Sequence, residues 1–271
     1  MARVWQTKTG TYLEWGSVLS NLLSPSRQRR RVARAVVVLA VASLPLLLSG
    51  CIKESVTRKI ESGVRSRLPS MIGPAESYEV KASGQTVKMM SGQVSQLELR
   101  GRGVRPLGEL YIDDLVVRMR NVKFDVDKSE LQSVEESAFE ATLLEKSVTQ
   151  YVAKSHPDLQ DLKVEMADGK ATVRAKSSLL GISAEMVFTG RLEIASQSKL
   201  NFMPDQMSVA GLPMPDALVG LFAERVNPVL DLSTFRFPIA LSGVTILPGA
   251  VRIEGTADLT HTSKTVNQGA K

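Results

Sequence analysis

Apolar and polar side chains alternate with a two-residue period along much of the chain, and this pattern constrains the fold more than any other feature. Successive residues of a strand point to opposite faces of a sheet, so the period is typical of strands with one buried face. The frame of the alternation shifts after Asp113-Asp114 and again after Arg120-Asn121, which predicts a bulge or a bend at each place in a long, curved strand. Asp168-Gly169 lies between two alternating segments and predicts a hairpin turn. The alternating segments are Leu110/Ile112, Leu115/Val117/Met119, Val122/Phe124/Val126, Leu162/Val164/Met166, Val173/Ala175, Ala184/Met186/Phe188, Leu192/Ile194, Phe235/Phe237/Ile239/Leu241 and Val251/Ile253.

Amphipathic helices interrupt the predicted strands. Apolar residues recur every four positions over Ile52–Leu68, which predicts a helix that Pro69 ends. Similar stripes predict helices over Leu144–Val152 and Ala217–Val226, and a short helical turn is predicted over Thr86–Ser91. Because strands dominate and a few amphipathic helices separate them, we predict an α+β fold in which helices cover a curved antiparallel sheet.

The basic charge of the chain belongs to its first fifty residues. The whole sequence has 34 Lys and Arg against 28 Asp and Glu, a formal charge of +6. Residues 1–50 hold seven of the basic residues and one of the acidic residues, which leaves 27 of each sign in residues 51–271. Because the later part has no basic surplus to neutralise phosphates, we predict no nucleic-acid partner.

The first fifty residues have the three parts of an export signal. Arg27–Arg34 is positive, Ala35–Leu48 is uncharged and mostly apolar, and Leu48-Ser49-Gly50-Cys51 looks like the lipobox of bacterial lipoproteins. We predict a signal peptide over residues 1–50, of which residues 1–25 extend beyond the true start, and lipidation of Cys51. The alternative is a membrane-spanning helix, which needs about 20 apolar residues, more than this stretch provides. Two acyl chains on Cys51 would anchor the protein on the extracytoplasmic side of a bacterial membrane, in the cell envelope.

The rest of the chain is predicted to form one domain over residues 51–260, followed by a polar, disordered tail over residues 261–271. Cys51 is the only cysteine, so no disulfide is expected. Neither histidine, His156 or His261, lies in a recognisable catalytic or metal-binding motif. The neighbouring carboxylates Asp113-Asp114 and Glu135-Glu136 point to opposite faces of a strand and do not converge on a metal. We therefore predict that the protein is not an enzyme and takes no metal or cofactor.

The order of these elements resembles the LmeA-like family of bacterial phospholipid-binding proteins over most of residues 52–260. The resemblance implies a half-barrel, in which the sheet wraps a long helix as in tubular lipid-binding domains, and it implies phospholipid binding in envelope assembly. This chain departs from the pattern in its lipobox and in Pro238-Ile239, where a Leu-Pro pair is expected. The segments that carry the resemblance are Thr86–Gly92, Val94–Gly103, Glu109–Val126, Ala138–Val152 and Phe237–Leu259.

These features lead to the hypothesis that the domain binds phospholipid or other acyl chains, without catalysis, between its concave sheet and its helices. Nine of the ten methionines follow Cys51, and methionine suits surfaces that accommodate variable apolar ligands. The candidate lining residues are Leu97, Leu99, Leu115, Val117, Met119, Met186, Phe188, Phe222, Phe235 and Phe237.

Two other functions remain open from the sequence. A structural or scaffolding envelope lipoprotein with a solid core would show no internal cavity and a sizeable exposed apolar patch. A hydrolase assembled from distant residues would show a convergent polar cluster in a cleft.

Overall fold

A computed structural model describes residues 54–106, 110–125, 130–179, 182–235 and 237–260. The predicted signal peptide, the lipidation site Cys51 and the predicted tail lie outside these ranges. All three therefore stay predictions.

The described residues contain helices at each predicted place. These are α1 over residues 54–71, α2 Thr86–Met90, α3 Glu145–Ser155 and α4 Asp216–Val226. The prediction that Pro69 ends the first helix is wrong, because α1 continues to residue 71 and the Ile72 N–H donates to the Leu68 carbonyl over 2.8 Å. Pro69 removes one backbone donor, but Leu68 and Ile72 are both buried, and burial of this stripe holds the last turn in place.

The strands form two antiparallel sheets. In chain order the strands are β1 Ser77–Ser83, β2 Gln93–Val104, β3 Ile112–Asp125, β4 Glu130–Ser133, β5 Glu136–Leu144, β6 Gln160–Ala167, β7 Lys170–Leu179, β8 Ile182–Ser196, β9 Lys199–Val209, β10 Leu212–Pro213, β11 Leu230–Asp231, β12 Ile239–Leu247 and β13 Ala250–Ala257. The first sheet has the order β1-β2-β3-β5-β13-β12, with β4 paired to β3, and the second has the order β10-β9-β8-β7-β6, with β11 paired to β9. The α+β class is confirmed, but the strands divide between two open sheets where one curved sheet was predicted, and the wrapped half-barrel is not confirmed.

One short-range prediction about the strands is confirmed, and a second is wrong. Asp168 and Gly169 connect β6 to β7, and both have positive φ angles, 52° and 74°, as a type I′ hairpin turn requires. Asn121 also has a positive φ of 49°. Met119 and Val122 on its two sides are both buried, with two exposed residues between them. The predicted bulges are wrong, because β3 pairs with β2 in one unbroken register from Ile112 to Lys123. The second frame shift marks instead a left-handed residue, Asn121, that changes which side chains of β3 face the core.

Both sheets contribute to one hydrophobic core. Backbone hydrogen bonds also join the sheets: the Leu241 N–H of β12 donates to the Gln197 carbonyl over 2.6 Å, and the Gly249 N–H donates to the Met166 carbonyl of β6 over 2.9 Å. The apolar stripe of α1 packs against this core through Val56, Ile60 and Val64. A shared core places the inner faces of the two sheets close together.

Tyr78 of β1 fixes the connection between α1 and the first sheet, and it gives the fold a measurable response to high pH. Its hydroxyl donates to the Gly73 carbonyl over 2.7 Å, and burial raises its pKa from 10.0 to about 12. Because the pKa of Tyr78 is higher in the folded state, the buried, protonated phenol stabilises the fold. This stabilisation is complete below pH 10 and is lost as the pH rises towards 12.

We expect Tyr78→Phe to lower the free energy of unfolding by about 1 kcal/mol at neutral pH, the typical contribution of one hydrogen bond. Between pH 10 and 12 the unmodified protein should lose more stability than the variant, since the variant has no phenol to ionise. Urea unfolding over this pH series measures both effects. Parallel pH profiles for the two proteins would contradict the assignment.

Candidate functional site

An apolar cavity of about 120 Å³ lies where the second sheet, α3 and α4 face β5 and β13 of the first sheet. We call it the helix cavity. Its walls contain mostly aliphatic and aromatic side chains. They are Leu110, Leu143, Val148, Tyr151, Val152, His156, Leu159, Val164, Met166, Ala171, Val173, Phe188, Leu192, Leu200, Phe202, Phe222, Val226, Val229, Leu230, Val251 and Ile253.

A second apolar cavity, of about 70 Å³, lies over β3, β5, β12 and β13 of the first sheet. We call it the sheet cavity. The segment around β11 and the end of α1 complete its walls, and none of its side chains is polar. The walls are formed by Ile72, Pro106, Leu110, Ile112, Leu115, Val117, Phe139, Ala141, Leu143, Leu230, Leu232, Phe235, Phe237, Ile239, Ile253, Ala257 and Leu259.

The two cavities adjoin, since Leu110, Leu143, Leu230 and Ile253 line both of them. They form an apolar zone that reaches from the inner face of one sheet to that of the other. Their volumes are below the roughly 300–1,000 Å³ of typical small-molecule pockets. An engineered apolar cavity of about 150 Å³ stays dry and admits a molecule the size of benzene. In this conformation the apolar zone therefore has room for part of an acyl chain. The zone must widen before a whole lipid can bind.

Charged groups lie outside this apolar zone. On the outer face of the second sheet, Asp205 of β9 forms ion pairs with Lys170 of β7 over 3.0 Å and with Arg191 of β8 over 3.5 Å. The hydrogen bond from Lys170 lowers the pKa of the Asp205 carboxyl. In the walls of the helix cavity the polar side chains are those of Tyr151 and His156. Such a lining favours apolar ligands and offers few groups that could orient a polar one.

Helix α4 covers the helix cavity. Phe222 points inwards and stacks on Phe188 of β8, with the ring centroids 3.9 Å apart and the planes within 10° of parallel. On the same helix Leu218 is 47% exposed and Leu221 is 62% exposed. A surface helix that leaves two leucines exposed can move outward at lower cost than a strand in the middle of a sheet.

Asn227 attaches the end of α4 to β9. Its Oδ1 accepts from the Phe202 N–H over 2.7 Å, and its Nδ2 donates to the Phe202 carbonyl over 2.9 Å. The side chain thus satisfies both backbone groups of Phe202, as a neighbouring strand would. Phe202 itself lines the helix cavity, so this contact joins the cover directly to the cavity wall.

We expect Asn227→Ala to lower the free energy of unfolding by about 2 kcal/mol, since two hydrogen bonds at about 1 kcal/mol each are lost. Amide hydrogen exchange in α4 should accelerate more than in β7. The matched control is Gln206→Ala, at an exposed position on β9, which should change stability by less than about 0.5 kcal/mol. Equal effects of the two variants in urea unfolding would show that Asn227 does not hold the cover.

The candidate lining residues fall into three groups. Leu115, Val117, Phe235 and Phe237 line the sheet cavity, and Phe188 and Phe222 line the helix cavity. The others are buried in the core and are not part of either wall: Leu97, Leu99, Met119 and Met186. Lipid contact at any of these ten residues stays a prediction.

Sequence reasoning missed the walls that α3, β6 and β9 provide. Tyr151 and Val152 belong to a predicted helical stripe, but the stripe does not show which cavity it would face. Leu200 and Phe202 alternate with Lys199 and Asn201, a signal that could have identified β9 as a wall. The alternation is short there, and it does not distinguish a cavity wall from solid core.

Within the described ranges, no group of three or more His, Cys, Asp or Glu side chains is placed to hold a metal ion. The carboxylate of Asp113 accepts from the Leu144 N–H over 2.8 Å, and that of Glu136 pairs with Arg120 over 2.9 Å. Among the helices of the same ranges, none combines the length and apolar character needed to cross a bilayer.

Comparison with known proteins identifies a family. No curated protein and no solved structure matches the chain significantly. The model of the LmeA-like phospholipid-binding family matches residues 52–256, which is most of the chain and includes almost every wall of both cavities. This family is characterised by phospholipid binding and not by a known catalytic activity. The chain therefore belongs to the LmeA-like phospholipid-binding family.

Proposed function

We propose that this protein binds the acyl chains of a phospholipid, without catalysis, in the apolar zone between its two sheets. The observation that carries the proposal is the pair of adjoining cavities, whose walls are apolar except for Tyr151 and His156. Each methylene buried there would contribute about 0.8 kcal/mol, so a lipid could bind without recognition of its headgroup. Membership of a phospholipid-binding family supports the same ligand.

Entry of a lipid requires the apolar zone to widen, and α4 is the element best placed to move. Its inner side closes the helix cavity through Phe222, while Leu218 and Leu221 on its exposed side offer an apolar path to the surface. In this proposal α4 swings outward on its attachment at Asn227, and an acyl chain takes the place of the Phe222 ring against Phe188.

We further propose that the protein works in the cell envelope as a lipoprotein, anchored through Cys51 on the extracytoplasmic side of a bacterial membrane. The lipobox-like segment Leu48-Ser49-Gly50-Cys51 and the positive and apolar segments before it support this anchoring. A tethered lipid-binding domain would stay within reach of donor lipids in that membrane.

A scaffolding lipoprotein is the second candidate, because the cavities are small and Leu212, Leu218 and Leu221 of the α4 region are exposed. One measurement separates the two functions. Residues 52–271, purified from a bacterial host without detergent, are analysed by native mass spectrometry and by lipid extraction. A mass increment equal to one phospholipid supports lipid binding. A clean apo mass, also after incubation with phospholipid vesicles, would overturn it in favour of the scaffold.

A further inference from the structure

A groove of about 240 Å³ lies between α1 and α2, away from the two cavities. We call it the tip groove. Its walls come from α1, from α2 and the turn that follows it, and from the end of β3. They are Val56, Lys59, Ile60, Gly63, Val64, Met89, Met90, Gly92, Phe124 and Asp125.

Helix α2 exposes apolar side chains beside the tip groove. Met89 is buried and anchors the helix to the core, whereas Val87 is 80% exposed and Met90 is 60% exposed. In water these two side chains bury little apolar surface on folding. Apolar side chains exposed side by side on a short, anchored helix are typical of a contact surface for a membrane or another apolar partner.

The charges around the tip groove are mainly positive. Residues 81–93, which include α2, contain two lysines and no acidic residue, and α1 over residues 54–71 contains four basic and two acidic residues. Both acidic residues of α1 have partners: Glu54 pairs with Arg58 over 2.8 Å, and Glu61 accepts from the Ala82 N–H over 3.0 Å. Asp125 is the acidic side chain in the groove wall, where Lys59 is also present.

The exposed leucines near α4 have the opposite surroundings. Residues 212–226 contain two acidic residues and one basic residue, so an anionic surface would be repelled there. Position along the chain also favours the tip groove, because the described part of α1 starts at residue 54, and the three residue steps that separate it from Cys51 can span at most about 11 Å. A lipid anchor on Cys51 would therefore stay within that reach of residue 54.

We propose that the tip groove and the exposed face of α2 form a docking surface for an anionic phospholipid bilayer. Val87 and Met90 insert among the lipids at the level of the headgroups. Lys59 and Lys88 lie at the bilayer surface, where they attract anionic headgroups. This surface is separate from the helix cavity and the sheet cavity, so the docking proposal does not depend on lipid binding between the sheets.

The test uses the full chain with Cys51→Ser, reconstituted in vesicles and carrying one new cysteine labelled with an environment-sensitive fluorophore. The labelled variants are Val87→Cys at the docking surface, Leu221→Cys on the exposed face of α4 and Asp168→Cys in the β6–β7 turn. The vesicles contain phosphatidylcholine alone or phosphatidylcholine with phosphatidylglycerol, each with and without a lipid-borne quencher. The quenched fraction gives the ratio of docked to undocked domains.

With phosphatidylglycerol present, the probe at position 87 should shift to shorter emission wavelength and be quenched, while the probe at position 168 should stay in water. Each of Lys59→Gln and Lys88→Gln should lower the docked-to-undocked ratio about fivefold, and Met90→Asp should lower it about tenfold or more. A probe at position 87 that stays in water, quenching that is equal in phosphatidylcholine alone, or stronger quenching at position 221 would each overturn the proposal.

Discussion

Ala171→Phe should abolish most of the lipid that the unmodified protein carries. Ala171 is buried on β7 and its side chain forms part of the helix cavity wall, so a phenyl ring at this position would fill the space that we assign to an acyl chain. If the ring displaces only two methylenes of the acyl chain from the cavity, the binding free energy weakens by about 1.6 kcal/mol, which lowers the affinity more than tenfold. The variant should also lose about 1–3 kcal/mol of stability through overpacking.

The matched control is Thr172→Phe. Thr172 is the next residue of β7, its side chain points to the opposite face of the sheet, and it is not part of either cavity wall. Extracted phospholipid per mole of folded protein, measured by mass spectrometry, should fall about tenfold or more in Ala171→Phe and stay near the unmodified value in Thr172→Phe. Equal lipid content in all three proteins would place the ligand elsewhere.

Gly190→Ala should destabilise the fold by about 3 kcal/mol or more. A Cβ atom at Gly190 of β8 would overlap the Met203 carbonyl oxygen and lie 2.6 Å from the Pro204 Cα atom of β9. Both contacts are to backbone atoms, which cannot rotate away as a side chain would, so the paired strands must separate at this point. Because β8 and β9 form the floor of the helix cavity, lipid content should fall together with stability.

A glycine-to-alanine substitution at Gly220 should have the opposite effect on stability. Gly220 lies within α4, and a Cβ atom there would have no neighbour within 4 Å. Gly220→Ala should therefore stabilise the protein by about 0.5–1 kcal/mol, because alanine favours the helix. Urea unfolding of both variants measures the contrast, and a Gly190→Ala variant as stable as the unmodified protein would refute the close approach of the two strands.

The sequence by itself determined the features that depend on neighbouring residues. Asp168-Gly169 identifies a type I′ turn because those two residue types tolerate positive φ angles. The apolar stripe over Ala217–Val226 identifies α4 because residues three to four positions apart lie on the same face of a helix. The frame shift at Asn121 was also visible in the sequence, because successive residues of a strand point to opposite faces of the sheet.

Only the tertiary structure decided what depends on residues far apart in the chain. The first sheet pairs Ala141 of β5 with Ile253 of β13, and no local pattern predicts this pairing or the division of the strands between two sheets. Leu97 and Leu115 show the same alternation, yet Leu97 is solid core and Leu115 lines the sheet cavity. A local pattern fixes only which face of an element is apolar, whereas a cavity is the volume that several distant apolar faces fail to fill when they pack together.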